Sequence, residues 1–142
     1  MTPEQIFGQL LGLDEQWVVV QTRYEEPNHT FYLWVRETAR LWEKERCPAN
    51  GKQPVICYDH VEERQWRHLN VFSQECVIVC ALPRGQCAGC KHIWRVKPPW
   101  EGLSKHFTKE FEAFALTLMK EMPVKRAGEI MGETDTRFWR ML

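Results

Sequence analysis

The 142-residue chain has a mass of 16.9 kDa, 44% hydrophobic residues and seven Trp, enough for one domain, or two very small ones, with a real core. Nineteen Lys and Arg balance nineteen Asp and Glu, which disfavours both a strongly basic nucleic-acid binder and an acidic disordered tail as whole-chain descriptions. No apolar run approaches the roughly 18 residues of a membrane span, and residues 1–10 lack the basic start and apolar stretch of a signal peptide, so the expectation is a cytoplasmic protein whose six Cys are metal ligands or core thiols rather than disulfides.

Residues 3–13 read as a short helix, with Ile6, Leu10 and Leu13 on one side, Phe7 alongside and Thr2 as the cap. Residues 17–24 are β-branched and apolar until Glu25-Glu26-Pro27-Asn28 breaks them. Residues 30–37 alternate Phe31, Leu33 and Val35 against Tyr32, Trp34 and Arg36, so the two runs predict a β-hairpin. Residues 39–45 fit a further strand or a loop into Cys47. Residues 47–52 are a turn by composition, with Pro48, Asn50 and Gly51. Strands are expected over 65–72 and 75–82, the second ended by Pro83-Arg84-Gly85. Cys87-Ala88-Gly89-Cys90 is a tight turn into 92–96, and Pro98-Pro99 with Gly102 reads as a linker.

After Ser104 the period becomes helical: Phe107, Phe111, Phe114/Ala115 and Leu118 recur, with Thr108 in a plausible first turn. Pro123 permits a new helix start, Gly132 ends that helix, and Thr134 can cap a last one reaching Leu142. No internal repeat or low-complexity tract interrupts this order.

Charge is unevenly spread. Residues 1–46 hold 5 basic and 8 acidic side chains, 47–100 hold 7 and 4, and 101–142 hold 7 and 7. The basic excess coincides with all six cysteines, as suits an anionic partner.

Cys87-x2-Cys90 is a metal-knuckle spacing: two thiolates three apart on a tight turn can face one ion. Cys47-Pro48-Ala49-Asn50-Gly51-Lys52 has the outline of a second knuckle, but Asn50 stands at its second Cys position, and an amide oxygen is a poor zinc ligand beside thiolates. Cys57 can complete the set; His60, in Cys57-x2-His60, competes with it, and His92 is a weaker third candidate. The expected ligands of a structural Zn2+ are therefore Cys47, Cys57, Cys87 and Cys90. No βαβ pattern surrounds the CxxC to make it redox-active, and nothing singles out a catalytic Cys–His pair. Cys76 and Cys80 share one strand face with Ile78 and read as core.

Residues 123–142 fit a helix-turn-helix. Gly128 is the small residue inside the first helix, four before Gly132 at the turn. Ala127 and Met131 face inward from the first helix, Phe138 and Met141 from the second. Glu133, where an apolar residue is common, is the misfit. Thr136, Arg137 and Arg140 then face solvent and reach phosphates or base edges, while Trp139 packs on the preceding helix. In the middle segment, Trp66-Arg67-His68 and Trp94-Arg95 offer stacking and pairing groups; the rings read as core, the arginines as available.

Trp66-Arg67-His68-Leu69-Asn70-Val71-Phe72, then Leu82-Pro83-Arg84, Cys87, Pro99-Trp100, Phe107-Thr108, Phe111-Glu112 and Met122-Pro123-Val124, together resemble the N-terminal region of the ISL-three family of insertion-sequence transposases. The order and spacing match over most of residues 47–142, and the opening with Trp17 is similar too. The resemblance implies a zinc-finger segment and a helix-turn-helix that recognise terminal inverted-repeat DNA. It implies that the catalytic, acidic-triad nuclease domain lies beyond this chain, which is then not itself an enzyme; the helical reading of the tail separately puts Leu142 in mid-helix, as at a cut. Cys47, Cys87 and Cys90 match the family's metal positions; Asn50 departs from them.

The resulting expectation is an α+β chain in three parts: an N-terminal helix and β-hairpin (1–46), a zinc-ribbon-like β module (47–100) and a helical helix-turn-helix segment (101–142). Its expected partner is double-stranded DNA, held by Arg64, Arg67, Arg84 and Lys91 from the middle and by Lys125, Arg126, Thr136, Arg137 and Arg140 from the tail. The competing expectations are a protein-interaction module serving self-association as a homodimer, and a small thiol- or metal-dependent enzyme with a lowered thiol pKa at Cys57 or Cys87.

Overall fold

The computed structural model describes residues 1–134 and Arg137. It is α+β and rich in sheet. The chain runs through α1 (Pro3–Leu10), β1 (Trp17–Glu25), a single 3-10 turn (Glu26–Asn28), β2 (Thr30–Glu37), α2 (Ala39–Lys44), β3 (Val55–His60), β4 (Arg64–Val71), β5 (Gln74–Cys80), β6 (Pro83–Cys87), β7 (Ile93–Arg95), α3 (Lys109–Glu121) and α4 (Val124–Met131). One sheet has the order β1-β2-β5-β4, the other β3-β6-β7. The chain divides into two compact units. The first comprises Met1–Thr22, Leu33–Arg64 and Val79–Pro99, the second Arg23–Tyr32, Gln65–Ile78 and Trp100–Leu142.

The hairpin forms as its alternation demands: β1 and β2 are hydrogen-bonded neighbours, and His29 turns the chain with a positive φ of 52°. α1 starts on a capping box, in which Thr2 accepts from the Gln5 N–H and the Gln5 side chain accepts from the Thr2 N–H. Residues 39–45 are neither strand nor loop but contain α2. Thr38 does not cap it; its hydroxyl donates to the Glu15 carbonyl, and Leu41 is the one side chain α2 buries.

In the first unit, β6 pairs antiparallel with both β3 and β7. Pro83-Arg84-Gly85 therefore opens a strand instead of ending one. Proline is tolerated as the first residue of a strand. Gly85 is required by close approach: a Cβ there would lie 3.0 Å from Val55 Cγ1 and 3.2 Å from both the Trp42 and Trp94 rings.

In the second unit, α3 and α4 pack through Phe107, Phe111, Ala115, Ala127 and Met131, with Leu69, Leu118, Met119, Met122 and Val124 around them. Thr108 caps α3 by accepting from the Phe111 N–H. Trp66, fully buried, donates from Nε1 to Glu101 and meets Trp100 edge-on at 5.6 Å. Cys76 in this unit and Cys80 in the first are both buried, as their strand face predicts, and burial pushes each thiol up to about 12. Among the described residues no helix is long and apolar enough to cross a membrane.

Candidate functional site

Two turns of the first unit bring sulfur atoms together. In the turn after α2, the Cys47 N–H donates to the Lys52 carbonyl at 3.1 Å, the Gly51 N–H returns to the Cys47 carbonyl at 2.6 Å, and Asn50 Oδ1 accepts from the Lys52 N–H at 2.9 Å. At the end of β6, the Lys91 N–H donates to the Cys87 carbonyl and the Cys87 N–H to the His92 carbonyl. The Ala88 N–H donates to the Pro54 carbonyl at 3.1 Å, tying one turn to the other.

The Sγ atoms of Cys47, Cys87 and Cys90 all lie within 4.8 Å of one another, and Cys47 Sγ is 3.6 Å from Cys90 Sγ. Thiolates at about 2.3 Å from a tetrahedral ion sit about 3.8 Å apart, so this spacing fits a metal ion. Cys47 and Cys87 are buried, Cys90 exposed. The Cys87 thiol is held down to about 7, first by the Cys90 N–H directed at its sulfur, then by the Gly89 N–H and the side chains of Cys90 and Asn50, against burial that pushes it up. The Cys90 thiol is raised: the His92 N–H at its sulfur lowers it, but burial and then the hydrogen bonds shared with Cys47 and Cys87 push it up. These three residues can hold a metal ion. Asn50, the departure from the knuckle pattern, sits beside them with Nδ2 3.7 Å from Cys87 Sγ.

Cys57 is not part of this group. It is exposed on β3, and its sulfur clusters with Glu37 and His60. The Cys57 thiol is raised by burial and by the carboxylates of Glu37 and Asp59, the reverse of an activated nucleophile. His60, the competing ligand, has Nε2 2.7 Å from Glu37 Oε2. His92 stacks on Trp94 with ring centroids 5.7 Å apart.

The basic residues divide into engaged and available. Arg67 is buried, only 4% exposed. Its guanidinium donates to the carbonyls of His68 and Met131 and to Asn70 Oδ1, pairs with Glu75 and Glu133, and lies 5.2 Å from the Phe111 ring centroid. This position removes it from phosphate contact. Arg84 forms a bidentate pair with Asp59 and lies over Tyr58. Arg64 is half-buried at the start of β4, and Lys91 is exposed with a φ of 64°. Lys125 and Arg126 are exposed on α4, Arg126 pairing with Glu129.

The tail carries a definite turn. Ala127, Gly128 and Met131 are buried on α4, Gly132 takes the left-handed conformation at φ 74°, and Thr134 Oγ1 accepts from the Arg137 N–H at 3.3 Å. Glu133, the misfit in sequence, is only 6% exposed at its side chain because it pairs with Arg67 at 3.5 Å and Arg137 at 2.9 Å. Arg137 also lies over Phe107, with its side chain 39% exposed. Thr136, Phe138, Trp139, Arg140 and Met141 lie outside the described residues. No protein-family profile, curated protein or solved structure matches the chain.

Proposed function

We propose that this chain is the DNA-binding region of a transposase of the ISL-three type, recognising terminal inverted repeats. The observation that carries the reading is the turn after α4. The small residues Ala127 and Gly128 are buried, Gly132 is left-handed, and Thr134 caps a following turn at Arg137. A helix-turn-helix needs each of these to seat its second helix close against its first. Lys125 and Arg126 on α4 are exposed for phosphates, and Arg137, still 39% exposed at its side chain beside Glu133, and Arg140 are assigned to the duplex. This role is binding, not strand transfer.

The cysteine group is assigned a structural role with Zn2+. Cys47, Cys87 and Cys90 would hold the ion, since thiolates favour zinc over hard cations. Bound there, the ion supplies folding free energy by fixing two turns of a small β module. Metal analysis of the purified chain tests this half, and binding to an inverted-repeat duplex across a salt series tests the other.

A second reading, self-association through a protein interface, draws on Val18 and Val20. They are 40% and 45% exposed on β1, which ends its sheet. Sedimentation without DNA separates the two readings. A tight dimer with no affinity for duplex favours the second.

A further inference from the structure

The register of β3 against β6 slips once. Cys57 pairs with Gly85 and Asp59 with Arg84, so β3 advances two residues while its partner advances one. Tyr58 is the extra residue. In a regular strand, residues three apart point to opposite faces; one inserted residue returns them to the same side. Cys57 and His60 are three apart across this bulge, and Glu37 at the end of β2 joins them.

The Cys57 sulfur, a His60 ring nitrogen and a Glu37 carboxylate oxygen lie within 4.8 Å of one another. They line a groove of about 560 Å³ whose other walls include Val18, Thr38, Ala39 and Trp42. Glu37 is only 10% exposed at its side chain, while His60 is 47% exposed, so the carboxylate is buried behind an accessible imidazole. Asp59, the nearest other carboxylate on β3, is occupied by Arg84 through both oxygens.

We propose that Glu37, Cys57 and His60 form a second metal site, separate from the Cys47, Cys87 and Cys90 group, that takes a borderline transition cation of the Zn2+ kind. Sulfur, imidazole nitrogen and one carboxylate are the donor set such ions prefer; hard cations take oxygen ligands throughout. Ligand bonds of about 2.0–2.3 Å put donor atoms about 3.3–3.8 Å apart around a tetrahedral ion. The His60 and Glu37 atoms, now 2.7 Å apart, need to part by less than about 1 Å. The Cys57 thiol gives its proton to water as the sulfur bonds the ion. With three protein ligands, the fourth position faces the groove and is filled by water or a small anion.

The test is a Co2+ titration of the full chain without DNA, followed by the thiolate-to-cobalt charge-transfer and d–d absorption bands. The wild type is expected to bind one more ion per chain than Cys57→Ser or His60→Gln. Cys87→Ser is expected to keep the bands that those two variants lose. Circular dichroism verifies that each variant is folded. If Cys57→Ser fails to fold, His60→Gln and Glu37→Gln carry the same comparison. Equal stoichiometry and identical bands in the wild type and the folded variants overturn the proposal. Because the readout is a difference between variants and uses no DNA, it is independent of the duplex-binding reading and of loading at the other cysteines.

Discussion

Arg67 on β4 donates from Nη2 to the carbonyl of Met131, the last residue of α4, at 2.9 Å. A helix C-terminus leaves carbonyls without intrahelical partners and carries partial negative charge, so a buried guanidinium there satisfies both needs. The same side chain pairs with Glu133 just past the turn, which explains why a carboxylate is tolerated at 6% exposure. One arginine thus fixes where α4 ends and how the chain leaves it.

Replacing Arg67 should accordingly be expensive. Arg67→Met leaves the buried Glu133 to Arg137 and strips the Met131 carbonyl of its donor, and is expected to cost about 2–4 kcal/mol. Arg67→Met with Glu133→Gln should recover a substantial part of that loss. Urea unfolding of the two single variants and the double variant measures the coupling. Strict additivity would show that the two side chains are not partners.

His68 provides a pH dependence with a defined sign. Burial lowers its pKa below 6.5, Glu110 opposing and Arg67 adding to the effect. Its Nδ1 shares a hydrogen bond with Thr108 Oγ1 at 2.8 Å, and that oxygen also accepts from the Phe111 N–H. The unfolded chain takes up a proton near pH 6.5 that the folded chain still refuses. Stability is therefore full above pH 6.5 and falls as pH drops from there through the folded pKa. Thermal melts between pH 7.5 and 5 should show this decline, and His68→Gln should flatten it.

Much of this was legible in sequence where the signal is local. The β1–β2 hairpin follows from strict alternation, and α3 and α4 follow from the spacing of Phe107, Phe111 and Ala115 and from Pro123 and Gly132. The bulge at Tyr58 was not legible: spacing alone makes Cys57 a neighbour of the CxxC, whereas the register sends it toward Glu37, a residue that carries no motif. Arg67 misleads in the same way. An arginine beside Trp66 reads as a nucleic-acid contact, but its partner Glu133 lies far along the chain, and only the fold brings them together. α2 was missed because it is six residues long, uncapped and buries only Leu41.

Asn50 offers a gain-of-function test of the cysteine group. Its Nδ2 is already 3.7 Å from Cys87 Sγ, so Asn50→Cys would add a thiolate beside the three present. Zinc affinity is expected to rise by on the order of tenfold or more, with a matching gain in thermal stability of the loaded protein. Competition with a chromophoric chelator measures it. An unchanged affinity would show that position 50 does not face the ion.

On α4, Lys125 is exposed and Arg126 pairs only at the surface with Glu129. If each neutralises one phosphate, its replacement by Ala should weaken binding alike on every duplex. It should also reduce the slope of log K against log salt by about 0.9 per contact. Arg67→Lys, at a buried position, should leave that slope unchanged as long as the protein stays folded.

The most direct measurement is fluorescence anisotropy of the zinc-loaded chain with a duplex bearing a terminal inverted repeat of the proposed ISL-three type, against a scrambled duplex of equal length, at salt from about 50 to about 200 mM. The account predicts tighter binding to the inverted repeat, weakening steeply with salt on both duplexes. Equal affinity for the two duplexes, or binding that is absent or indifferent to salt, would contradict it.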